Sequence, residues 1–414
     1  MVARMTDRMA KASPPPGPLR RLAAGTLISA VGNGAWYTSW AIFLTHRVGL
    51  SAAEVGVGMT VAGLCGVLAA TPVGWIADRA GAREIFAGLL LAQAASSGAF
   101  GLVHGVSSFL IVACLGQVAS SGTGGPRNAL VLGLGDGREG AGPLEVLGQL
   151  RAISHIGWAL GAIVGGAIIS LNSPPAYIAL VALNGGTYLM YALLVFTVPR
   201  ITAPGRAQTH GSLRVVRDGP YMSLAGLMGV LALCWAMLSS GLPLWVTLHT
   251  HAPRAISAVV VLISSVGIAA FQVRVSRGIT EPRAAATGTL LSGCALAASC
   301  LLFALTAGGD GVVVVAVMVA AAGLHLAGEL LFVASSWGLS VPLMPPDAPG
   351  EYQGVFATGE AVALMAAPAL MTTLIAGWGQ PGWLVLAAIF LFPGAAAIPV
   401  TRWALRTRPV LVES

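Results

Sequence analysis

Gly74-Trp75-Ile76-Ala77-Asp78-Arg79-Ala80-Gly81-Ala82-Arg83 is the stretch on which the fold turns. An uncharged run, Val55 to Ala77, leads into it, and a second, Ile85 to Val103, follows it. Each is close to the ~20 apolar residues that cross a bilayer as a helix. Asp78, Arg79 and Arg83 crowd into the Gly-bounded turn between them. This pattern predicts a hairpin of two spanning helices with its charged tip at one membrane face.

Composition extends that reading to the whole chain. Of the 414 residues, 56% are hydrophobic and 9% charged, with mean hydropathy +0.83. Soluble domains carry roughly a quarter charged residues, so a water-exposed fold would have too little polar surface. The apolar runs are continuous rather than alternating, which excludes a β-barrel reading. Helices satisfy their own backbone hydrogen bonds in lipid, and the 54 glycines suit close helix contact. The five cysteines (Cys65, Cys114, Cys234, Cys294, Cys300) fall in predicted spans without a CxxC pair, as small apolar filler does. Met1 to Pro18 is polar and Pro-rich, and the first apolar run exceeds a signal-peptide core, so the N-terminus reads as uncleaved.

Twelve spans are predicted, at 20–45, 52–77, 84–104, 107–133, 146–171, 176–198, 221–248, 255–275, 285–307, 311–342, 353–376 and 382–404. When alternate loops are assigned to opposite sides, every Lys and Arg except Arg47 and Arg254 falls on one side. The positive-inside rule then places both termini in the cytoplasm of a multi-pass cell-membrane protein. It also accounts for the net charge of +7 without nucleic acid. Arg200 to Gly219 is the longest polar connection and divides the spans six and six. The expected organisation is a cytoplasmic tail (1–19), a six-helix bundle (20–199), a cytoplasmic linker (200–220), a second bundle (221–404) and a cytoplasmic tail (405–414).

The opening stretch resembles the signature between the second and third helices of the major facilitator superfamily: Gly, three residues, Asp-Arg, one residue, Gly, then a base. Gln272-Val273-Arg274-Val275-Ser276-Arg277-Gly278, after the eighth span, is a worn echo with Ser276-Arg277 in place of Asp78-Arg79. The fifth span carries Gly157, Gly161, Gly165 and Gly166, and looks like the antiporter motif of facilitator exporters with Ala162 in place of its Pro. A generic face of small residues is the competing reading. The exporter-type Arg of the fourth span is missing, with Cys114 near its place. Pro126-Arg127-Asn128, the Asp136–Glu139 loop, Arg151 to Gly157, His325 to Glu329, Ser336 to Ser340 and Tyr352 to Phe356 together resemble actinobacterial facilitator permeases described as drug or natural-product exporters. The resemblance implies an all-α polytopic membrane protein, two six-helix bundles and secondary transport. It also implies that Gly74, Asp78, Arg79, Gly81 and Arg83 form a cytoplasmic latch, with Asp78 binding Arg83 and the positive N-terminus of a helix in the other half. A turn that only orients helices by charge is the alternative.

Ionisable groups within spans mark candidate sites, because charge in lipid is costly. Glu329 lies mid-span with His325 one turn away. Glu329 and His325 are read as proton-coupling candidates, with Glu329 alternatively a structural partner of Arg127 or a backbone donor. Glu360 is a second proton-coupling candidate, or a latch partner. Arg127, Arg151 and His155 are candidate buried charges, with His155 read as a polar packing residue or a proton carrier. Asn33, Trp36, Tyr37 and Trp40 on the first span, with Trp235 on the seventh, are candidates for a cavity binding amphipathic solutes; an aromatic belt at the interface is the alternative.

No Gly-Lys-Ser/Thr phosphate loop, HExxH motif or nucleophile–base set occurs in the sequence, so an ATP-driven pump, a metalloenzyme or another membrane enzyme is not expected. Neither a cofactor nor a metal is called for. The expected partners are a small-molecule substrate, protons and the lipid bilayer, for a monomer. Three functions remain open: a proton-coupled exporter, a proton-coupled metabolite symporter, and a non-transporting sensor or scaffold. A charge-rich cavity would favour the symporter and an aromatic, apolar one the exporter.

Overall fold

The computed structural model describes residues 17–37, 40, 43–135, 142–170, 173–200, 214–253, 256–345 and 348–408. Ser39, the Asp136–Glu139 loop, Arg254, most of the linker and the outer parts of both tails lie outside these residues. Among the described residues all regular structure is helical. The first half holds α1 (Gly17–Tyr37), α2 (Ala52–Ala80), α3 (Ala82–Phe100), α4 (Val106–Gly122), α5 (Gly124–Gly135), α6 (Pro143–Ser170) and α7 (Pro174–Phe196). The second holds α8 (Gly219–Ala236), α9 (Leu242–His249), α10 (Ile256–Arg277), α11 (Pro282–Ala304), α12 (Gly311–Leu343), α13 (Pro349–Met371) and α14 (Gln380–Thr407). α4 and α5 form one span interrupted at Thr123. α8 and α9 form another, joined through a π-helical turn at Met237–Gly241 just before Pro243. Ten spans are long and apolar enough to cross a membrane by composition alone. α1 and α3 complete the twelve; α3 turns Gln93, Ser96 and Ser97 into the protein, which lowers its hydropathy without exposing them.

Local signals start the helices where the sequence puts them. Ser51 and Glu54 form a reciprocal cap at α2: the Glu54 N–H donates to Ser51 Oγ at 3.2 Å, and the Ser51 N–H donates to Glu54 Oε2 at 2.8 Å. Asp218 caps α8 by accepting the Tyr221 N–H at 3.2 Å. Gly81 ends α2 at φ +100°, where a side chain would be strained, and its N–H still reaches Ala77 O at 2.9 Å.

The two halves repeat the same packing. In the first, α1 packs on α6 and α7, α2 on α4, and α3 on α4 and α7. In the second, α8 packs on α13 and α14, α10 on α12, and α11 on α12 and α14. Span for span, these are equivalent pairs. Two main seams join the bundles, α2 against α13 and α6 against α10, and they too are equivalent.

Small residues set these contacts. A Cβ on Gly161 would lie 2.1 Å from Val31 O of α1, and one on Gly34 would lie 2.3 Å from Trp158 O. The equivalent crossing of α8 and α13 is made by Gly229 and Gly359, where a Cβ on Gly229 would meet Gly359 O at 2.6 Å. Gly157 also faces α1 and Gly165 is buried, whereas Gly166 is exposed with nothing near it. Gly157 and Gly161 are therefore packing residues of the α1–α6 crossing, and Gly166 lies off that face.

Candidate functional site

The α2–α13 seam closes at the Arg-rich end of the bundles. Pro349 and Gly350 open α13, leaving its first amides without intrahelical partners. The Asp78 carboxylate accepts two of them, Gly350 N–H at 2.7 Å and Glu351 N–H at 2.8 Å. A negative group thus sits on the positive end of a helix from the other bundle. Backbone contact is possible because both sides lack a side chain: a Cβ on Gly74 would be 2.1 Å from Gly350 O, and one on Gly350 would be 2.5 Å from Gly74 O. Further along the seam, Thr71 and Thr358 share a hydroxyl hydrogen bond of 2.7 Å.

Two members of the expected latch lie elsewhere. Arg83 does not bind Asp78. It pairs with Glu84 at 2.9 Å and donates to Val198 O at 2.9 Å, tying the start of α3 to the end of α7 within its own bundle. Arg83 stands five positions after Asp78, and the turn at Gly81 sends it along α3, away from α13. Arg79 lies over the Trp75 ring at 3.6 Å and donates to Trp75 O at 3.1 Å. The α6–α10 seam has its own charged contact, between Arg277 at the end of α10 and Glu145 in the first turn of α6.

Inward from Asp78 lies a cavity of about 130 Å³ between the bundles. The first bundle contributes Arg127 and Asn128 from α5 and Arg151 from α6. The second contributes Trp235 from α8, Phe332 and Trp337 from α12, and Gln353, Phe356 and Glu360 from α13. Gln353, Phe356 and Glu360 follow at helical spacing one face of α13, starting about one turn inward from the Asp78 contact. Asn128 Nδ2 donates to Gln353 Oε1 at 3.2 Å, a neutral bridge across the cavity floor.

Glu329 stands behind the cavity wall and is only 3% exposed. Arg151 reaches it from the other bundle at 2.6 Å, Trp235 Nε1 donates to it at 3.0 Å, and Ser264 Oγ donates to its second oxygen at 3.2 Å. His325 Nδ1 lies 3.9 Å away, while its Nε2 meets Cys234 O at 2.9 Å. The Arg151 guanidinium also stands 5.3 Å from the Trp235 ring. The partner of Glu329 is thus Arg151 and not Arg127, whose guanidinium points into the cavity from the preceding span. His155 lies one turn from Arg151 on α6, partly buried and off the cavity lining.

Of the five residues expected to line a solute cavity, Trp235 does so. Asn33 instead accepts from Tyr188 OH at 2.5 Å inside the first bundle. Trp36 packs on Phe43 and Phe100, and Trp40 joins the same cluster. Tyr37 is 60% exposed against Trp158. Trp245, the other tryptophan of the seventh span, is fully buried with its Nε1 on Thr306. Ser264 carried no recognised signal in the sequence; Asn128, Trp337 and Gln353 fall in quoted stretches without having been singled out.

Comparison with known proteins follows the same architecture. Residues 22–368 match the family described as Major Facilitator Superfamily. No match is found among curated protein sequences. Among solved structures, the chain is similar to a bacterial homologue of the iron transporter ferroportin in an outward-facing state, at 14% identity and TM-score 0.70, covering 94% of this chain and 100% of that one. It is similar to the proton:xylose symporter XylE at 12% identity and TM-score 0.68, covering 94% of each chain. The human organic anion transporter MFSD10 (TETRAN) gives 16% identity and TM-score 0.64, covering 92% of this chain and 100% of that one. These identities speak for a shared fold.

Proposed function

The chain belongs to the Major Facilitator Superfamily, and we propose that it is a proton-coupled secondary transporter exporting small amphipathic or drug-like molecules by alternating access. One observation carries the alternating-access part of this reading: a cavity lies between two bundles and is shut at one end by a non-covalent contact, Asp78 on the N-terminus of α13. Such a contact can break and re-form, so each solute or proton that favours one arrangement shifts the balance between the two.

The Arg-rich end is the cytoplasmic one in this reading, by the positive-inside rule. The described arrangement is then closed to the cytoplasm. The protein acts as a monomer in the cell membrane, with both tails and the 200–220 linker in the cytoplasm and the bundles spanning 20–199 and 221–404. Glu360 is the first choice for the coupled proton. Among the described residues it has no hydrogen-bond or ion-pair partner, so it can gain or lose a proton without breaking an ion pair. Glu329 would have to give up Arg151. The export direction rests on the resemblance of the quoted sequence stretches to drug and natural-product exporters. The charged part of the lining favours a second reading, import of a polar metabolite together with protons.

Everted membrane vesicles from cells lacking other pumps test the direction. Exporter function gives proton-driven uptake of an amphipathic dye into these vesicles, abolished by a protonophore. Dye movement indifferent to the gradient would sink proton coupling, and movement only in right-side-out vesicles would favour the importer.

A further inference from the structure

Two cations and two carboxylates surround the cavity, yet only one ion pair forms among them. Arg151 and Glu329 satisfy one another across the bundles. Arg127 and Glu360 do not. Arg127 makes one long contact, 3.4 Å from its NH2 to Asn128 Oδ1, and its Nε is buried without a partner. Glu360 has neither an ion pair nor a hydrogen bond among the described residues. The two belong to opposite bundles, on α5 and α13, and they line the same cavity beside Trp337 and Phe356.

We propose that this cavity binds a small zwitterion: a solute carrying a carboxylate for Arg127 and an ammonium for Glu360 on an apolar body, the chemistry of a free amino acid. The inference rests on the transport reading above and names its substrate class. Unpaired charge away from water is costly. A cation would neutralise Glu360 and leave Arg127 exposed to the same low-dielectric cavity. An anion would do the reverse. A neutral solute would leave both charges unmet. With Glu360 ionised, only a zwitterion meets both at once while the cavity keeps its net charge, and Trp337 and Phe356 offer apolar surface to its body. A protonated Glu360 cannot pair with an ammonium, so proton and solute compete for one carboxylate. When the ammonium arrives, the Glu360 proton leaves to water, which is the bookkeeping of exchange.

The test uses the full chain purified in proteoliposomes and four probes on one body: L-leucine, L-leucinamide (cation), N-acetyl-L-leucine (anion) and N-acetyl-L-leucinamide (neutral), with the alanine series alongside. Binding is read from tryptophan fluorescence, since Trp235 and Trp337 line the cavity, and transport from counterflow of labelled solute. The zwitterion is expected to bind at least tenfold more tightly than each of the other three in at least one series. In Arg127→Gln the preference over the cation should vanish while that over the anion persists; in Glu360→Gln the reverse. If a variant fails to fold, the wild-type ranking still decides. A preference for the cation, the anion or the neutral probe overturns the proposal, as does silence toward all probes in both series. Proton-driven dye flux in the same vesicles would keep the transport reading standing in either case.

Discussion

Arg277 on α10 meets Glu145 on α6 at the same place in its seam where Asp78 on α2 meets α13 in the other. One seam is closed by a carboxylate on backbone amides, the other by a side-chain ion pair. Their strengths differ for a physical reason. The Arg277 side chain is 52% exposed, and exposed pairs contribute about 0–1 kcal/mol. Hydrogen bonds to a charged group contribute about 1.5–3 kcal/mol.

Asp78→Asn is therefore expected to loosen the closed arrangement by about 1–2 kcal/mol, a shift of roughly 5–30-fold in the closed-to-open ratio. Arg277→Gln should shift it by less than about fivefold. Spin labels at the exposed positions Ala80 and Ala284 report both as a longer-distance population across that end. Equal effects, or a larger one at Arg277, would overturn this ranking.

Glu329→Gln leaves the half-buried Arg151 guanidinium without its counter-charge. Breaking a buried pair from one side costs about 3–5 kcal/mol, so the variant should show a clearly lower melting temperature in detergent. Glu360→Gln removes no ion pair and should melt close to the wild type, yet lose gradient dependence. A Glu329→Gln protein of normal stability would show that the pair with Arg151 carries little.

Gly161→Ala forces a methyl group against Val31 O. Overpacking of this kind costs about 1–3 kcal/mol, and a thermal melt should register it. Gly166→Ala, which meets nothing within 4 Å, is expected to be silent. Equal behaviour of the two would argue against the packing role of the Gly157–Gly161 face.

Compartment-dependent reporters fused ahead of Leu22 and after Arg408 should both report the cytoplasm. An external signal from either end breaks the assigned topology, and with it the identification of the Arg-rich end as the cytoplasmic one.

Much of this architecture is legible in the sequence because lipid demands it. Spans must be long and apolar, and the short charged turn at Asp78 is rare enough to recognise. The family resemblance implies the Asp78 contact with a helix end of the other half, and also an Arg83 partner that is not made. Which face of a span looks inward is another matter. Lipid and bundle core are both apolar, so Trp36 on α1 and Trp40 beyond its end carry no mark distinguishing a cavity wall from an intrabundle cluster. The partner of Glu329 was equally hidden: Arg127 and Arg151 have the same chemistry, and only the packing of α6 beside α12 brings Arg151 to it.

Glu351 does two things at once. Its amide meets Asp78, and its carboxylate accepts the Val215 N–H at 2.8 Å. At the other end of the same connection, Arg200 is held by Glu84 of the first bundle at 2.8 Å. The leash between the halves is therefore shorter than the polar segment that contains it, running from Arg200 to Val215. Fully paid out, it reaches roughly 50 Å. If the bundles rock as proposed, a deletion removing most of it is expected to turn the leash into a hobble, leaving a protein that still folds and binds yet cannot swing open.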